Sequence, residues 1–145
     1  QFQAGTVVLD DDDAGSVLFN VSNLAPTENR TNCIEVSYTG SLASNVRMYG
    51  AASGALAQYL DVQVQIGTGG SFGDCTGFSW TSTLYTGTLA DFAASRTNFA
   101  NGLAGWNGAT NPSARTYRIS VTLQDVNAAQ GLSAPADFTW EAQNT

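Results

Sequence analysis

The chain has 145 residues, a net charge of −7, 43% hydrophobic and 12% charged residues, and 15 glycines. With no histidine and no lysine, Ser-His-Asp and Cys-His catalysis, His-x-x-x-His zinc sites and lysine-linked pilus subunits are excluded. The acidic balance excludes nucleic acid and anionic lipid as partners, and no apolar run reaches the length of a transmembrane span or of a type IV pilin helix.

The length suits one domain, residues 1–145. Charge is scarce for a soluble chain, so surface polarity must come from Ser, Thr, Asn and Gln, as in secreted β-proteins. The start at Gln1 instead of Met predicts that a leader is removed.

A strand is expected over "AGTVVL" (4–9), running straight into Asp10, Asp11, Asp12 and Asp13. In an extended chain Asp10 and Asp12 share one face, and Asp11 and Asp13 the other. An EF-hand does not fit. With Gly15 at the sixth loop position, Ala14 stands where a ligand belongs and Val21 where the bidentate Glu belongs. Three readings stay open: a solvated strand end, a two-carboxylate clamp for calcium completed by another loop, or a joint between molecules. No cofactor is otherwise called for.

Period-2 alternation then recurs along the chain. "SVLFNV" and "NVRMYG" read as strands. "CIEVSY" sets Ile34, Val36 and Tyr38 against Glu35 and Ser37. "DVQVQI" sets Val62, Val64 and Ile66 against Gln63 and Gln65. "TYRISVTLQ" sets Tyr117, Ile119, Val121 and Leu123 against Arg118, Ser120, Thr122 and Gln124. "DFTWEA" sets Phe138 and Trp140 against Thr139 and Glu141. Turn chemistry separates them at "NLAPTENRTN", "YTGSLASN", "GTGGSFGD" and "NGATNPSA". Short helical turns are expected at "GALAQYL" and "GTLADFAAS". The pattern predicts an all-β fold, an antiparallel β-sandwich of jelly-roll or Ig-like type.

Cys33 and Cys75 allow one pairing within the chain, expected as a disulfide in an extracellular protein; buried free thiols and a bond between subunits are the alternatives. The glycines of "GTGGSFGD" miss phosphate-cradle spacing, and this segment reads as the turn that carries Cys75. Trp80, Trp106 and Tyr49 are candidates for a sugar-stacking platform, against a reading in which Trp106 caps the core. Asn20 and Asn29 open two glycosylation sequons.

The pieces "FQAGTVVLD", "VSNLAP", "VSYTGSLASNVRM", "TLYTGTLADF", "GWNG", "YRISVTLQD" and "QGLSAPADFTWEAQ" follow one another in an order that resembles the TasA/camelysin family, secreted fibre-forming proteins of biofilm matrices. The resemblance implies a jelly-roll released by a dedicated signal peptidase and polymerised by donor-strand exchange. In that exchange an N-terminal strand completes the sheet of the next subunit. Thr27 stands where the family usually has Gly, the Cys33/Cys75 pair is not a general family feature, and the segment usual before "FQAGT" is missing.

The residues point the same way by elimination. Noncovalent strand addition needs an extended apolar segment, and Phe2, Ala4, Val7, Val8 and Leu9 supply one. Whether it pairs with a neighbour or within its own chain stays open. The expected function is that of a secreted or cell-surface structural subunit, without catalysis, whose partner is itself and other matrix components. The alternatives are an adhesin or carbohydrate-binding module and, remotely, a metalloprotease working without histidine.

Overall fold

The computed structural model describes residues 9–11, 24–108 and 113–145. The chain folds as the expected all-β sandwich with short helical turns. Eight strands are described: β1 (Leu9–Asp11), β2 (Asn29–Tyr38), β3 (Ser44–Ala52), β4 (Leu60–Thr68), β5 (Ser79–Thr88), β6 (Leu103–Gly108), β7 (Ser113–Leu123) and β8 (Ala136–Asn144). They form a five-stranded sheet in the order β1-β2-β7-β4-β5 and a three-stranded sheet in the order β6-β3-β8. Every pairing is antiparallel.

The clearest alternation belongs to the central strands, as it should, because only their inner side chains are fully covered. Ile34, Val36 and Tyr38 of β2, Val62, Val64 and Ile66 of β4, and Tyr117, Ile119, Val121 and Leu123 of β7 are buried. They meet Val46, Met48, Leu103 and Trp106 of the opposite sheet in one hydrophobic cluster. Each such side chain contributes roughly 1.5–3 kcal/mol on burial. Tyr38 also donates its hydroxyl to the Leu42 carbonyl, closing the β2–β3 connection.

"GALAQYL" forms a 3-10 turn, Ala55–Tyr59, and "GTLADFAAS" holds α1, Leu89–Ser95. The Thr88 hydroxyl caps α1 by accepting from the Asp91 amide at 3.1 Å. This helix plugs one end of the core with Phe92, whose ring stands edge-on to Tyr85 (5.1 Å) and Phe138 (5.6 Å).

Three strands depart from the sequence reading. β5 lies in a stretch with no clean alternation. Ser79 to Thr83 are exposed on both faces, and register shifts between Val64 and Gln65 and between Ile66 and Gly67 break its period. β6 spans "LAGWNG", where the residue pattern predicts no strand. β2 also begins at Asn29, inside the segment read as a turn. The strand expected at "SVLFNV" lies outside the described residues, as does all of "AGTVVL" except Leu9.

Thr27 shows what its departure from glycine entails. Glu28 N–H donates to the Ala25 carbonyl at 2.9 Å across Pro26 and Thr27, and Thr27 has φ 67°. Pro before a positive-φ residue is the pattern of a type II turn, whose third position favours glycine. A β-branched residue carries strain there.

Candidate assembly edges

The sequence pairs Cys33 with Cys75, and the two are disulfide-bonded, with Cα atoms 5.3 Å apart. Cys33 lies on the outer face of β2 and is fully buried, because the segment between β4 and β5 folds back over the sheet to reach it. Gly69, Gly70 and Gly73 of this strap take positive φ, and the Gly73 amide donates to the Cys33 carbonyl at 2.9 Å. Phe78 packs on the Arg118 guanidinium, 4.7 Å from ring centre to Cζ. Gly67 must be glycine, since a Cβ there would collide with the Ser79 carbonyl. The "GTGGSFGD" segment is thus a covalently pinned turn.

Of the expected donor residues, Leu9 pairs with Tyr38 of its own chain, in a strand that continues through Asp10 opposite Ser37 and Asp11 opposite Val36. Phe2, Ala4, Val7, Val8, Asp12 and Asp13 lie outside the described residues. Among the described residues no group of three or more His, Cys, Asp or Glu side chains is placed to hold a metal ion. Asp10 and Asp11 are brought to the edge of the five-stranded sheet.

An open sandwich has four sheet edges, and here they differ. Among the described residues β1, β5, β6 and β8 each pair on one side only. The β5 edge is bent by its two register shifts, and β6 is six residues long with a shift of its own. Bulges and shortness are ways of blunting an edge. β8 carries neither: nine residues pair without interruption, from Ala136 opposite Ala52 to Asn144 opposite Ser44. Its inner side chains Phe138, Trp140 and Ala142 pack on the core yet stay half-buried.

Around Trp140 the core is aromatic and short of polar partners. The Tyr117 ring stands 5.4 Å from Trp140, and the Arg115 guanidinium lies 5.3 Å from the centre of Trp106. The indole nitrogens of Trp106 and Trp140 and the Tyr117 hydroxyl are buried without a well-formed hydrogen bond. Burial pushes the Tyr117 phenol far above its ordinary range, while the nearby Trp106 N–H and Arg115 offset this only slightly. Trp106 is 9% exposed, so it caps the core instead of offering a platform. Tyr49 is also unsuited to stacking. Its hydroxyl donates to Glu141 at 2.7 Å, and that carboxylate holds the phenol above its usual range. Trp80 alone of the three is open, at 58% exposure.

Asn29 of the second sequon stands exposed at the start of β2, its amide donating to Thr122 at 2.8 Å. Asn20 lies outside the described residues. Among the described residues no helix is long and apolar enough to cross a membrane. The disulfide fits a secreted or extracellular protein. No protein-family model and no curated protein matches the chain.

That β8 pairs on one side only among the described residues was not readable from residue patterns. Phe138 and Trp140 announce an inner face, but which strand ends a sheet depends on the pairing order.

Proposed function

We propose that the chain is a structural subunit of an extracellular filament of the TasA/camelysin type, held together by strand addition between copies. The observation that carries this reading is the β8 edge: nine uninterrupted residues, free on one side among the described residues, above a half-covered strip of Phe138, Trp140 and Ala142. An incoming strand gains a ladder of backbone hydrogen bonds there and sets alternate side chains against that strip. The N-terminal stretch has the chemistry for it, with apolar residues at 2, 4, 7, 8 and 9 and no charge before Asp10. β1, which begins at Leu9 directly after that stretch, also touches β8.

Deleting Gln1–Leu9 tests the proposal by electron microscopy of the purified protein. A folded, non-polymerising product is expected, and Val8→Asp should do the same, since burying Val8 or Phe2 contributes roughly 1.5–3 kcal/mol each. A synthetic peptide of residues 1–9 should cap growing ends. Filaments of normal width from the deleted protein would place the joint elsewhere, and an unfolded monomer would mean that the strand serves its own chain.

A further inference from the structure

Trp80 is left unused by the assembly reading, and its place in the sheet gives it a role. Gly67 continues the outward series Gln63, Gln65 along β4, and its cross-strand partner is Trp80. Directly opposed residues share a face, so the indole rises from the outer face of the five-stranded sheet. Beside the strap that covers it at Cys33 and Arg118, that face carries hydroxyls and amides in register, with Asp61 in a flanking row and Glu35 in the row of Trp80. One row runs Thr31, Ser120, Gln63, Thr86 across four strands, spaced by about 4.8 Å per strand. The next row holds Gln65 and Thr83, joined by a side-chain hydrogen bond at 3.4 Å. Thr31 and Ser120 share one at 2.9 Å.

We infer that this face, with Trp80 at one end, binds an uncharged, hydroxyl-rich polysaccharide strand. The charge pattern selects the partner. The chain has twelve acidic residues, yet the Thr31–Thr86 row has none; in the row on one side Asp61 accepts from the Gln124 amide at 2.8 Å, and in the row on the other side the Arg118 guanidinium is engaged by Gln65 at 2.8 Å and by Phe78. A polyanion meets a net charge of −7 and is repelled. A neutral sugar chain offers donors and acceptors to the hydroxyl and amide rows, and the apolar C–H face of a pyranose to the exposed indole. Three consecutive exposed hydroxyl residues, Thr81, Ser82 and Thr83, follow Trp80 on β5.

The inference is independent of strand exchange, because retention on glycan is read on the intact chain whether or not it assembles. The test is native affinity electrophoresis in gels containing hydroxyethyl cellulose or alginate. Retardation is expected in the neutral gel and not in the polyanion gel. Trp80→Ala should weaken it at least tenfold. So should Gln63→Glu combined with Thr86→Glu, which places charge on the face without touching the core. Leu132→Ala, which trims another exposed apolar side chain, should leave it unchanged. No retardation in the neutral gel, equal retardation by alginate, or a Trp80→Ala protein that binds as the parent does would each overturn the inference. So would a change in sedimentation of the glycan-free protein on Trp80→Ala without glycan retention in the parent, since the face would then dock a second copy.

Discussion

Cys33 and Cys75 are joined over the outer face of β7, so a strap from the β4–β5 connection is fastened to β2 with β7 beneath it. The bond encloses a sequence separation of 42 residues and contributes about 4 kcal/mol in the chain-entropy account. Reduction should therefore lower the denaturant midpoint while the sandwich core persists. On non-reducing gels the dissociated protein should run as a monomer. A ladder that collapses with reductant would assign the bond to neighbouring chains.

Thr27→Gly should stabilise the protein. Thr27 holds φ 67° in a turn whose third position glycine occupies without strain. Relief of that strain, less the entropy glycine loses on folding, leaves a gain of about 1 kcal/mol. Thermal unfolding should shift upward by about 2–4 °C. An unchanged or lowered midpoint would show that Thr27 carries no strain to relieve.

Tyr117 should make the fold alkali-sensitive. Its phenol is raised far above the ordinary tyrosine value of 10 by burial. The folded state therefore holds this proton more tightly than the unfolded chain. Its contribution is complete below pH about 10 and is lost progressively as pH rises through the folded value. Urea midpoints measured from pH 8 to pH 11.5 should fall, and Tyr117→Phe should flatten the part that begins near pH 10. Some slope should remain, because the Tyr49 and Tyr85 phenols are raised too. At neutral pH the Phe variant should be as stable as the parent or slightly more so, since the hydroxyl it loses is buried without a well-formed hydrogen bond. A strongly destabilised Phe variant would mean that the hydroxyl is bonded in solution.

The aspartate run bears on the filament proposal. Asp10 and Asp11 lie in β1, an edge strand among the described residues, directly after the expected donor segment, and the filament proposal sets the run near the joint between copies. Calcium, salt or mild acid should then speed polymerisation by neutralising or screening them. Replacing Asp10, Asp11, Asp12 and Asp13 by Asn should remove that dependence in light-scattering kinetics. An unchanged response would leave the run as a solvated strand end.

Much of the fold was legible in the residues, for a definite reason. β2, β4 and β7 sit inside the larger sheet, so their two faces differ sharply, and alternation such as Val62-Gln63-Val64-Gln65-Ile66 records the difference. β5 is an edge strand with exposed residues on both faces and two register shifts, and nothing in "SWTSTLYTGT" alternates. β6 was hidden by glycines that admit neighbouring rings: a Cβ at Gly108 would stand 2.6 Å from the Tyr38 ring. The candidate site was less legible still. Trp80, Trp106 and Tyr49 look alike as aromatics, and only packing separates the open one from the buried cap and from the phenol bound to Glu141.

The strap has a mechanical consequence. If the chain is pulled from its two ends, the Cys33–Cys75 bond carries the load past everything it encloses. At about 3.4 Å per residue, some 140 Å of contour is withheld from extension. The enclosed residues include β3 and β4, one strand from each sheet. A stretched oxidised molecule can therefore shed its terminal strands while these two stay out of the line of force, and the same molecule, once reduced, pays out its full length.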